Sequence, residues 1–491
     1  MFSRRVGAHR KEAARSRAGV LLSCAALTAA MTAVSLNVPP GPATANVPQP
    51  DKWLWEGVAT SMASADASVR GEFGGMSGRG VGVALIDTGV TRVPGLNGAG
   101  QVVYGPDLSL DSQDPAKRHL DGYGHGTHLA GIIAGRGVTR SDEFRGMALN
   151  AQVTSVKVGS SNGAVDVSQV IAGIDWVVAH RNDDSRNPIR VLNLSYGTDS
   201  VQPYQVDPLA HAVENAWRAG LVVVVAGGND GNAVPLVNPA TDPYVIAVGA
   251  ADTANTAITT DDSVASFSNL GDARRSVDVV APGRSLISLR VPGSYVDVNN
   301  PSARVGTGYF RGSGSSQAAA LTSGVVAQLL QFQSTLTPDQ IKYLLTRTCH
   351  RLGTAYPANR GCMLDALGAY LSAKNSAVPA GTQTWPRSTG TGSIEAARGA
   401  AHLADGESML SGENDLFGPF DSKAWAAASS ARTAWSGGAW MGRQWTGSRW
   451  ITDFTGTTSW EGRFWAGQSW TGRFWAGSTW SAITWKESAW S

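Results

Sequence analysis

The chain has 491 residues, 42% hydrophobic and 16% charged, with a formal net charge of +2. That balance excludes a mostly disordered chain and is enough for a large core with accessory regions. Arg4, Arg5, Arg10, Lys11, Arg15 and Arg17 carry the basic surplus, so the rest of the chain is nearly neutral and lacks the basic body of a nucleic-acid binder.

Residues 1–45 read as an export signal. The arginine-rich start leads into the uncharged run "AGVLLSCAALTAAMTAVSL", then prolines and the small-residue pattern "ATA". Cleavage is expected after Ala45, and an uncleaved membrane anchor is the competing reading of so long a run. The product is expected to be secreted, with cell-surface association as a variant of that reading. Export leaves Cys349 and Cys362 in a compartment where disulfides persist, and they are expected to pair; two separate buried thiols are the alternative.

From 81 to about 371, short β-rich runs alternate with amphipathic stretches. Strands are predicted at 81–86, 152–158, 191–195, 221–226 and 244–249. Helices are predicted at 125–134, 167–180, 208–219, 316–333 and 337–347. The run "LVVVVA" is apolar at every position, so both of its faces must be covered. The pattern argues for an α/β fold, a mostly parallel central sheet with helices on both faces. Such sheets carry their site outside the carboxyl ends of the strands.

Those ends hold the candidate chemistry. "VALIDTGV" finishes its apolar run on Asp87, where an acid that orients a base belongs. "DGYGHGTHLAGIIAG" places His125 between glycines at a helix start. His125 and His128 could also be read as metal ligands, but no third ligand is evident and no metal is assigned. "VVVVAGGNDG" ends a buried strand on Asn229, whose amide could donate to an oxyanion. "GSGSSQAAALTSG" (312–324) reads either as a flexible loop or as a nucleophile at the start of a buried helix.

Taken in order, Asp-Thr-Gly, His-Gly-Thr-His-x-Ala-Gly, Gly-Asn and Gly-Ser-Ser resemble the subtilisin-like serine peptidases. The chain order Asp87, His125, Ser316 matches that family, and "NLSYG", "NPATDPYVIAVGA", "ASFSNLG" and "VDVVAPG" add to the match. The resemblance covers roughly 78–370. It implies a secreted endopeptidase in which Ser316 is the nucleophile, His125 its base and Asp87 the orienting acid. It also implies that Asn229 is an oxyanion donor and that Ser195, Tyr196, Gly197, Ala226, Gly227 and Gly228 flank the substrate cleft, with protein or peptide substrates. Gln317 and Ala320 depart from the family's methionine and proline, and neither change removes a catalytic atom. No cofactor is expected; the resemblance makes calcium possible, but no acidic loop is specific enough to assign a site. Only 46 to about 80 separates the signal from the domain, so no separable inhibitory pro-domain is expected.

The expected organisation is a signal at 1–45, a catalytic domain at 46–373, a linker or weakly ordered segment at 374–430 and tryptophan-rich decapeptide repeats at 431–491. In the last, a tryptophan falls at every fifth position from Trp435 to Trp490, broken only by Thr455. Glycines between them suit a hairpin or solenoid turn. The rings either pack on one another, with Arg443, Arg449, Arg463 and Arg473 over them, or offer platforms to cell-wall glycans. A second functional reading follows: a weakly active or inactive relative that binds a cell surface through its tail.

Overall fold

A computed structural model describes residues 75–139, 144–254, 261–352, 362–405, 408–416 and 418–445, with short strands at 450–451 and 470–471. The expected signal at 1–45 and most of the repeats past 445 lie outside the described residues.

Strand β1 (Gly82–Asp87) is buried at all six positions. It lies between β3 (Gln152–Lys157) and β4 (Ile189–Leu194) and runs parallel to both. The sheet continues past β3 to β2 (Val102–Asp107), and past β4 to β5 (Val222–Ala226) and β6 (Ile246–Asp252), all parallel. At the far edge β6 pairs with the antiparallel β7 (Ser263–Val264) and the parallel β8 (Val279–Pro282). The mostly parallel sheet is therefore observed. Strand β2 was not legible in the sequence. It is a half-exposed edge strand carrying Gly105 and Pro106, so it offers no continuous apolar run.

Helices α1 (His125–Ala134), α2 (Val167–His180), α3 (Pro208–Arg218) and α4 (Ser315–Phe332) cover the sheet, α1 packed with α4 and α2 with α3. Alternation along β1 separates the two layers. Ile86 lies under Gly173 of α2, and its neighbour Asp87 bonds to α1. Helix α2 starts sharply because Asp166 and Gln169 form a capping box. Cys349 and Cys362 are joined, with their Cα atoms 5.4 Å apart.

The stretch after 373 differs from the expected linker. Its helix α5 (Ser422–Ser430) packs on α3, and Trp425 is fully buried. The anchor is Asp175 of α2. One carboxylate oxygen accepts the indole N–H groups of Trp425 and Trp440, at 2.9 and 3.0 Å, and the other accepts the Ser429 hydroxyl at 2.7 Å. Asn215 and His211 of α3 add bonds to Ser429 and Ser430. A Gly-, Ala- and Ser-rich composition conceals this order because the residues that hold the segment lie more than 200 positions upstream.

The first repeats form an antiparallel meander. Trp435 pairs with Trp440, Trp440 with Arg443, and Trp445 with Trp450. The turns at Gly437-Gly438 and Met441-Gly442 have positive φ throughout, as two-residue hairpin turns require. Five-residue spacing thus sets tryptophans opposite one another across alternate hairpins, while the hairpin between them sets Trp440 opposite Arg443. Arg443 pairs with the Asp415 carboxylate.

Candidate active site

Asp87 ends β1 and is 1% exposed. Its Oδ1 accepts the Thr88 N–H at 2.8 Å, and His125 Nδ1 lies 2.8 and 3.0 Å from the two carboxylate oxygens. Burial pushes the Asp87 carboxyl up from its ordinary range; His125 and the Thr88 bond oppose this, and nearby Asp121 adds to it. The geometry assigns the ring's Nδ1 to Asp87 and leaves Nε2 for other chemistry.

Local sequence makes this approach possible. His125 opens α1, and a side chain at Gly126 would sit 2.1 Å from the Gly89 carbonyl. The glycine after the histidine is therefore required by the turn after Asp87. Gly124, before it, has φ of 102° and would drive a Cβ into Ser294 and Val296. Asp121 accepts the N–H groups of Gly124 and Thr127, both at 2.7 Å, and the Thr88 hydroxyl at 2.8 Å. It holds the start of α1 and ties it to the residue after Asp87. The sequence carries no cap signal for it, because the N-cap position is Gly124 and Asp121 lies three residues earlier.

Ser316 lies in the first turn of α4, fully buried, with its Oγ making no hydrogen bond among the described residues. The stretch 312–324 thus enters a buried helix, and its small residues are needed there. A Cβ on Gly324 would sit 2.4 Å from Met147 Cβ. The helix starts at Ser315 without the family's proline. Around it, Asn229 Oδ1 accepts the Ser315 N–H at 2.8 Å, and the Ser315 hydroxyl accepts the Gly228 N–H at 3.2 Å. With its oxygen so engaged, the Asn229 amide has its NH2 end left to donate. Ser195 donates to the Ser316 carbonyl at 3.5 Å and accepts from Asn193.

Residues 78–392 match the subtilase family. The chain belongs to the subtilase family. It is 40% identical over 276 residues to the serine protease AprX of Bacillus subtilis, covering 55% of this chain and 61% of that protein. It is 32% identical over 281 residues to the minor extracellular protease Epr of the same organism, covering 57% and 37%. The matched stretch thus spans less than two thirds of either relative. A solved protease structure from Pseudoalteromonas arctica is 25% identical, has a TM-score of 0.51, and matches over 66% of this chain and 98% of that one.

The other residues expected at this subtilase's cleft are also buried. Ser195, Tyr196, Gly197, Ala226, Gly227 and Gly228 all sit at the carboxyl ends of β4 and β5. A side chain at Gly197 would strike Val237 at 2.3 Å, and one at Gly228 would strike Asn269 at 2.5 Å, so both glycines are fixed by their own fold. His128 Nε2 bonds to the Phe310 carbonyl at 3.0 Å, and burial lowers its pKa to about 3. Among the described residues no group of three or more His, Cys, Asp or Glu is placed to hold a metal. No described helix is long and apolar enough to cross a membrane.

Proposed function

We propose that this protein is an exported serine endopeptidase that cleaves peptide bonds through an acyl-enzyme. The observation that carries the reading is the bond from Asp87 at a strand end to His125 at a helix start. Ser316 supports it, in a helix packed on the one that carries His125. Asp87 holds the proton on Nδ1. His125 Nε2 takes the proton of Ser316 Oγ as that oxygen attacks the substrate carbonyl. The oxyanion accepts hydrogen bonds from the Asn229 amide and the Ser316 backbone N–H. His125 then protonates the leaving nitrogen, the C–N bond breaks, and water repeats the sequence to release the acid.

Hydrolysis of casein and of a short peptide amide by the purified chain, beside Ser316→Ala, tests the proposal. Cleavage is expected to fall by about 2 × 10⁶ in kcat, the size established for this constellation in subtilisin. No activity in either protein favours the surface-binding alternative, and equal activity in both removes Ser316 from the reaction. That alternative gains nothing from Trp435 and Trp440, whose rings are buried and offer no open face to a glycan.

A further inference from the structure

The segment after 387 runs along the catalytic rim, where two loops meet. The loop from β3 to α2 borders the histidine loop: Gly163 lies against the Tyr123 ring, and Gly122 against Ser161. The loop from β4 to α3 begins at Ser195, which reaches the Ser316 carbonyl. On the peptidase reading, these two loops are the walls at one end of the substrate groove, one beside the segment before His125 and one at Ser316.

The C-terminal segment is fastened to both. On one side Thr198 donates to the Ala397 carbonyl at 2.7 Å, and Asp199 accepts the Ala400 N–H at 2.8 Å. Gln202 exchanges two bonds with the Ser393 backbone. On the other side Arg398 Nε donates to Asp166 Oδ2 at 2.6 Å, and both side chains are 0% exposed. The remaining guanidinium nitrogens reach Glu395 and the carbonyls of Gly412 and Asn414. A buried guanidinium with all three of its nitrogens engaged is a specific clamp, because losing one partner would strand a charge away from water. Beyond it Leu403, Leu410 and Leu416 close over Ala164, which is 0% exposed. Tyr196 lies between the fastened Thr198 and the reactive end of the loop and is itself 1% exposed. Peptide side chains entering here would need open surface, and Ala164, Tyr196, Thr198, Arg398 and Leu403 present none.

We propose that residues 393–405 and 408–416 are a built-in occupant of this end of the groove, seated by Arg398 as a positioning residue. The subtilase then selects peptides that are short, or small in side chain, on that side of the scissile bond. This rests on the peptidase reading above.

The test uses the full chain with Arg398→Met combined with Asp166→Asn, which removes the clamp without stranding either charge and keeps a good N-cap on α2. A second variant, Leu403→Ala with Leu410→Ala, loosens the same wall and leaves the ion pair alone. Substrates are a single-residue amide and octapeptides carrying Ala or Trp at successive positions on each side of the cleaved bond. The ratio of kcat/KM for Trp octapeptides over the short amide is expected to rise about tenfold in whichever variant melts as a folded protein. Binding of the same labelled octapeptides to Ser316→Ala forms, read by fluorescence anisotropy, is expected to tighten in parallel. Unchanged or weaker octapeptide binding after release of the clamp overturns the proposal. Tighter binding without any hydrolysis by the unaltered chain supports the occupant and counts against the peptidase reading alone.

Discussion

Asp87 and Asp175 are both buried carboxylates, 1% and 6% exposed, and burial pushes both up from the ordinary carboxylate range. Their donors differ in kind. Asp87 is held by an imidazole and a threonine N–H. Asp175 is held by two indole N–H groups and a hydroxyl. An imidazole fixed at one nitrogen still offers a second nitrogen that can take and return a proton. An indole has no such second group. The same chemical acceptor therefore holds an imidazole at the sheet's rim and fastens a C-terminal helix to α2 on the opposite face. On the proposed function, what separates the site from the structural anchor is the titratable partner, because burial is shared.

Substitutions can break that contrast. Asp87→Asn keeps the shape and loses the acceptor that sets the histidine tautomer, so kcat for peptide hydrolysis is expected to fall about 10⁴-fold. The urea unfolding midpoint should move little. A stability loss with normal rates would place Asp87 in the same class as Asp175. Asn229→Ala is expected to lower kcat by about 10²–10³ with KM nearly constant, the size measured for such a donor in subtilisin. A rise in KM alone would make Asn229 a ground-state contact.

Asp175→Asn should give the mirror image of Asp87→Asn. The amide keeps one acceptor oxygen for three donors, leaving buried N–H or O–H groups unbonded at about 1–3 kcal/mol. The unfolding midpoint should drop while kcat per folded molecule holds. Lost activity with an unchanged midpoint would contradict the anchoring role.

His128 sharpens the comparison within one helix. It sits three residues after His125 but is bonded to a backbone carbonyl, and burial lowers its pKa to about 3. An unfolded histidine takes up its proton near 6.5. Between those values the unfolded chain binds more protons, so this group's contribution to stability falls as pH is lowered. The slope is at most about 1.4 kcal/mol per pH unit. Urea midpoints between pH 4 and 7 should show a shallower slope in His128→Gln, and an unchanged slope would remove this assignment.

Much of the subtilase region was readable because its signals are local. The apolar runs give β1, β3, β4, β5 and β6, and helices α1 and α2 begin and end where the periodicity places them. The pairing of Cys349 with Cys362 was expected on the reading that residues 1–45, with Cys24, are removed on export, two separate thiols being the alternative. The roles of Asp121, Asp175 and Arg398 were not readable, because each is defined by a partner distant in the chain or by a turn. Arg398 meets Asp166 across 232 positions, and Trp425 meets Asp175 across 250. Composition around 374–430 reports low hydrophobicity and says nothing of a complementary buried carboxylate waiting on α2. The tryptophan spacing was readable as turns but not as cross-strand pairs, since register is set by the positive-φ residues between them.

The account depends most on Ser316 being the activated hydroxyl. Treatment with a fluorophosphonate, digestion and mass mapping of the adduct measures that directly. A single adduct on Ser316 is predicted, lost in Ser316→Ala and in His125→Ala. An adduct on Ser313, Ser315 or Ser323, or labelling that persists in either variant, would contradict it.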